Sequence, residues 1–235
     1  NGTADLIGAT LQAVALSVSG ATVKVDAVAT LTVSGQLALA SVTPAGVGAT
    51  TRYSALKMGD VQVTLVAGTA NDDTFGLQGT LTISSLESNS VGAGFTGARL
   101  DWAKAFDFDG DGTKDVLDPG AGLPTPAGLP IDFASTLQLA ISGTVVGDGT
   151  ELVTGQASTR SLLDAGPIHI GGTAAFALSL RTVDVDTDGN GTADLIGATL
   201  TGVALSVTGA TVKVDAVATL TVSGQLALAS VTPAG

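Results

Sequence analysis

Along most of the chain, apolar side chains recur at every second residue. Val23, Val25, Ala27, Ala29, Leu31 and Val33 alternate with Lys24, Asp26, Thr30 and Thr32. The same beat runs through Val61, Val63 and Leu65, through Leu81 and Ile83, through Leu137, Leu139 and Ile141, and through Phe176, Leu178 and Leu180. A period of two puts alternate side chains on opposite faces of an extended strand, and β-branched residues favour that state. No stretch carries a helical stripe, and residues 99–106, RLDWAKAF, read as one helical turn or a strand, with the strand favoured. Ala13, Ala15, Ala38 and Ala40 sit on the face away from the expected core, where a solvated strand would carry Lys or Glu. Both faces of some strands are therefore expected to be covered, by a facing sheet or by a neighbouring copy. The prediction is an all-β fold of elongated, tandem sandwich-like modules, with a β-solenoid as the alternative.

A repeat sharpens this picture. Residues 1–46 recur at 190–235, and only Gln12/Thr201, Ala13/Gly202 and Ser19/Thr208 differ. The period is 190 − 1 = 189 residues. Long near-identical repeats mark an array, so the sequence is expected to be a window on a longer tandem protein, its partners being neighbouring copies of itself. Within the period, residues 1–118 read as a first β module and 131–194 as a second, with 195–235 opening the next repeat. Residues 119–130, PGAGLPTPAGLP, cannot be a central strand and read as a connector. Asn71, Asp72 and Asp73 read as a turn, and Gly147, Asp148 and Gly149 as the tip of a hairpin joining 136–146 to 151–158.

Composition narrows the function. Nine Lys and Arg stand against twenty-one Asp and Glu, for a net charge of −12. That balance cannot neutralise a run of phosphates, so nucleic acid is not an expected partner. With no Cys there is neither a disulfide framework nor a thiolate metal site. The longest uncharged run, 27–51, is rich in Thr, Ser and Gly and alternates, so it is not expected to span a membrane as a helix. An outer-membrane barrel would need aromatic girdles, and only 3% of residues are aromatic.

The acids are concentrated in two loops. The first, DFDGDGTKDVLD, places Asp107, Asp109, Asp111, Asp115 and Asp118 at positions 1, 3, 5, 9 and 12, with Gly112 at position 6. This is calcium-loop spacing: alternate oxygens converge on one hard cation, glycine lets the chain turn, and Thr113 at position 7 offers its carbonyl. The second loop sets Asp186, Asp188, Asn190, Thr192 and Asp194 at positions 1, 3, 5, 7 and 9. Its position 12 is Gly197, so it should bind more weakly unless Asp184 helps. Asn1, Thr3 and Asp5 are the remnant of this loop at the preceding repeat boundary. Calcium is the expected cofactor, with the ions bracing loops whose like charges would otherwise repel.

Because these loops lie between strand-like runs, DFDGDGTKDV and DTDGNGTADLI resemble the strand–loop–strand calcium hairpins of FG-GAP and VCBS-type repeats. Their core is similar to thrombospondin type 3 loops. The whole pattern resembles giant bacterial surface proteins and adhesins, a likeness that implies an extracellular, calcium-stiffened stalk or fibre at the bacterial cell surface. The alternative is a surface-binding module for glycan or ice, for which Thr30, Thr32, Thr80 and Thr82 offer the nearest flat face.

Enzymatic signals are weak. The G-x-G-x-x-G of Gly92, Gly94 and Gly97 has no following helix, and the lone His169 is expected to face solvent from a strand. Asp60, Glu87, Asp101 and Glu151 are unpaired in sequence, and Trp102 reads as a core anchor rather than a ligand platform. No catalytic residue is assigned, and the chain is not expected to be an enzyme.

Overall fold

The structure, a computed structural model, describes residues 6–25, 28–46, 52–67, 75–92, 98–156 and 159–234. The remnant at Asn1, Thr3 and Asp5, the turn at 71–73, and Gly94 and Gly97 of the glycine motif lie outside the described residues. Among the described residues nine strands form a single antiparallel sheet: β1 (Thr10–Val25), β2 (Ala29–Thr43), β3 (Tyr53–Ala67), β4 (Gly76–Val91), β5 (Leu137–Gly147), β6 (Ser161–Ala165), β7 (Ile168–Val185), β8 (Leu195–Val214) and β9 (Ala218–Thr232). Sheet order follows chain order as β1-β2-β3-β4-β5-β7-β8-β9, and the short β6 continues the line of β5 between β4 and β7. The all-β expectation holds. Among the described residues no second sheet faces this one, and no helix is long and apolar enough to cross a membrane.

The core forms where an insert, residues 98–135 between β4 and β5, folds back over one face of the sheet. Trp102, Leu129, Ile131 and Phe133 from the insert pack with Ala38, Ala40, Val42, Ala55 and Leu137 from the strands. Ala38 and Ala40, expected on the face away from the core, are instead fully buried at 0% exposure. Small side chains let the insert lie close on the sheet; a Leu at either position would hold it off. The larger aliphatics point the other way and stay open, with Leu16 and Leu39 51% and 47% exposed.

Other local expectations are corrected. Residues 99–106 are a turn leading to a single β-bridge, Phe106 to Asp115, because Trp102 is drawn into the core. The alternating run through Val23 and Val33 is two strands: β1 ends at Val25 and β2 starts at Ala29. In the second copy the same hairpin turns at Asp215, Ala216 and Val217, with Ala216 at φ 55, a left-handed turn that no glycine announces. Glu151 makes a single bridge to Arg160 and residues 152–156 form bends and turns, not the return strand expected there; β6 starts only at Ser161. The 119–130 segment opens with one 3-10 turn, Pro119–Gly122, and packs back on itself through Ala127 N–H to the Gly120 carbonyl.

Asn89 pins the insert to the sheet. Its side chain, 1% exposed, donates to the carbonyls of Leu100 (2.9 Å) and Ala134 (3.2 Å) and accepts from Trp102 Nε1 (3.0 Å). Truncation removes three hydrogen bonds at once and orphans the buried Trp102 Nε1. Asn89→Ala should cost about 2–4 kcal/mol, read as a lowered urea midpoint. Trp102 is the chain's one Trp, so its fluorescence reports undocking of the insert, and an unchanged midpoint would refute the pinning role.

Candidate metal centre

Both acidic loops lie at the same end of the sheet, the end where β2, β4 and β7 finish and β3, β5 and β8 begin. The first is part of the insert and is closed by Asp115 N–H to the Phe106 carbonyl (2.9 Å); the second is the β7–β8 turn and is closed by Asp194 N–H to the Val185 carbonyl (2.8 Å). Phe106 and Phe108 stack with centroids 5.2 Å apart, and Phe106 touches Trp102 at 5.8 Å, so the first loop is rooted in the core.

Inside, the loops share five backbone amide bonds. Asp107 accepts the amides of Gly110 (2.8 Å) and Gly112 (3.1 Å); Asp186 accepts those of Gly189 (2.7 Å) and Gly191 (2.7 Å). Asp109 accepts from Asp111 N–H (3.1 Å) as Asp188 does from Asn190 N–H (3.1 Å). Asp111 accepts from Thr113 N–H (2.6 Å) as Asn190 does from Thr192 N–H (2.8 Å). Asp115 accepts from Phe108 N–H (2.5 Å) as Asp194 does from Thr187 N–H (2.8 Å). Gly112 and Gly191 hold φ values of 85° and 88°, which side-chain-bearing residues rarely adopt. The wrapping is thus written into the backbone twice.

These bonds gather carboxylates. One oxygen each from Asp107, Asp109 and Asp115 lies within 4.8 Å of the others, as do oxygens of Asp186, Asp188 and Asp194. Oxygens on opposite sides of a calcium ion, each about 2.4 Å from it, stand about 4.8 Å apart, so the donor set fits a hard divalent cation in type and spacing. Asp111 is outside the first group of three. Asp118 is engaged elsewhere, for its Oδ1 accepts from Gly120 and Leu129 N–H (both 3.0 Å) and caps the 3-10 turn. Asp184 accepts from the amide of Gly197 at 2.7 Å, steadying the position-12 corner that lacks an acid. Thr113 and Thr192 enter the loops through their amides.

The loop field holds several of these acids ionised. Asp111 is depressed below the usual carboxylate range chiefly by the Thr113 amide, Asp186 by the Gly191 amide, and Asp194 by the Thr187 hydroxyl. Amides that favour the charged form replace part of the solvation that crowding removes.

Other candidates are accounted for structurally. Glu87 pairs with Lys57 (3.2 Å) and Asp101 with Lys104 (3.4 Å), while Glu151 accepts the Gly155 amide (3.1 Å). Thr32 lies between Thr22 and Thr64, and Thr64 beside Thr80, with the last two hydroxyls 3.1 Å apart. Thr80 also donates to Asp148, so the Thr64 and Thr80 hydroxyls are engaged within the sheet. No protein-family model, curated protein or solved structure matches the chain.

His169 departs from expectation. Ile168 and Ile170 are the more exposed, and His169 is half-buried between two carboxylates, with Nδ1 2.7 Å from Asp164 and Nε2 3.1 Å from Asp215. Lys213 stands 3.3 Å from Asp215. The triad ties β6, β7 and the β8–β9 turn at the end of the sheet opposite the loops; only the three-dimensional fold brings residues 46 positions apart together. Asp164, then Asp215, raise the His169 pKa. Its stabilising share is therefore complete below the ordinary value of about 6.5 and is lost as pH rises through the raised one. With one His and no Cys, little else titrates near neutrality. Melting temperature should fall as pH rises above about 6.5, and His169→Asn should flatten that slope. An equal slope in the variant would refute the clamp.

Proposed function

We propose that this chain is a structural repeat of a long extracellular fibre or adhesin stalk at a bacterial cell surface, stiffened by calcium at its acidic loops, and that it is not an enzyme. The observation that carries the reading is the duplicated loop geometry. Two segments 79 residues apart, with different flanks, wrap the same pattern of amides around the same three aspartates. Asp107, Asp109 and Asp115 would hold one ion and Asp186, Asp188 and Asp194 the other. The bound ions supply positive charge where nine acids crowd two short loops, turning repulsion into a crosslink. One crosslink would fix the β7–β8 turn at the repeat boundary, the other the insert over the core. The 189-residue period and the acidity, free of Cys, fit a tandem array outside the cell.

Calcium should raise the melting temperature in calorimetry and EGTA should reverse it. By mass action each site adds about 2.7 kcal/mol at a hundredfold excess over its Kd. Asp109→Ala with Asp188→Ala, position 3 of each loop, should abolish the response while leaving the apo melt close to wild type. An identical melt with and without calcium would sink the metal reading.

A further inference from the structure

Asn190 stands in the second loop where the first loop carries Asp111, and it is followed by Gly191. The same pair recurs in the sequence as Asn1 and Gly2. An asparagine before a glycine carries a chemistry of its own. With no Cβ on the second residue, the peptide nitrogen is unshielded and can reach the side-chain carbonyl carbon of the first. The fold decides whether that reaction is held off or helped.

Here the loop engages each reacting group. Asn190 Oδ1 accepts the amide of Thr192, two residues on, at 2.8 Å. That bond folds the side chain back over the peptide that contains the Gly191 nitrogen. It also sets a donor on the oxygen that gains charge when its carbonyl is attacked. Nδ2, the group that would leave, donates to Asp188 Oδ2 at 2.9 Å. The Gly191 N–H, whose proton must be lost, donates to Asp186 Oδ2 at 2.7 Å. Residues 187–192 are exposed, and nothing lies within 4 Å of the place where a Cβ on Gly191 would stand. Asn89 is the opposite case. It precedes Ser90, is 1% exposed, and both ends of its amide are held by Leu100, Ala134 and Trp102.

We propose that Asn190 is a deamidation site through which the chain alters its own second acidic loop. The Gly191 nitrogen attacks Cγ of Asn190, and the new N–Cγ bond closes a succinimide ring. The Cγ–Nδ2 bond breaks, and Nδ2 leaves as ammonia with a proton that balances the one lost from Gly191. Water then opens the ring at either carbonyl, so the net change is one water consumed and one ammonia released. Opening at Cγ leaves Asp at position 190, the residue type that the first loop has as Asp111. Opening at the backbone carbonyl leaves isoaspartate, which adds a carbon to the main chain between 190 and 191. The amides of Gly191 and Thr192 then cannot both keep their places in the wrap. The consequence for calcium rests on the metal reading; the deamidation itself does not.

The test holds the full folded chain in mildly alkaline buffer without calcium, then reads its digest by peptide mass over time. The Asn190 peptide should gain the mass difference between OH and NH2 and split into aspartyl and isoaspartyl forms, while the Asn89 peptide stays unchanged. Its rate should lie within about tenfold of that in urea, a barrier difference of at most about 1.36 kcal/mol. An Asn190 peptide that converts in urea and stays intact in the folded chain would overturn the inference. A second measurement reads the consequence. In an Asp109→Ala background the calcium-induced rise in melting temperature comes from the second loop. That rise should shrink in step with isoaspartate, and it should persist through the same incubation when Asn190→Asp is added. An undiminished rise in fully isoaspartyl chain would overturn the effect on the loop. A fresh chain with no rise at all counts against the metal reading, whereas the peptide masses judge the deamidation alone.

Discussion

A strand presents backbone N–H and C=O groups on both of its edges, and those groups need partners whatever the side chains are. That demand organises this molecule. Each interior strand meets it with a neighbour in chain order, and the sheet grows sideways as the chain lengthens. Among the described strands, β2, β3, β4, β5, β7 and β8 are each paired on both sides. The apolar pattern decides which face points where; the edge groups decide which strands stand side by side.

What the sequence made legible was periodic. Alternation located most strands, because a two-residue period has one structural meaning at this composition. It misread one face of β2, where Leu39 is open and Ala38 and Ala40 are buried beside Val42. The insert that buries them is brought over the sheet by Trp102, Leu129, Ile131 and Phe133, which lie in segments with no strand rhythm. Nor does any local signal mark the turn at Ala216 or join His169 to Asp215, since both depend on long antiparallel pairing. The break in residues 99–106 is of the same kind, for burial of Trp102 outweighs local strand preference.

The loops were legible for the opposite reason. Their chemistry is local: each carboxylate is placed by amides two to seven residues away, and spacing alone specifies that geometry. Asp118 marks the edge of this rule. By count it belongs to the first loop, but its oxygen accepts amides from the 3-10 turn and from Leu129, eleven residues on. A position in a motif fixes a ligand only while nothing outside the motif competes for it.

Chain-order pairing also sets how such an array would respond to force. One period contributes six strands to the main path, β1 to β5 and β7 without the short β6, or about 29 Å at about 4.8 Å per strand. Tension between the chain ends then acts along the hydrogen bonds rather than across them, so strands would unzip one after another instead of shearing together. A tandem array of such sheets would yield to a pull strand by strand.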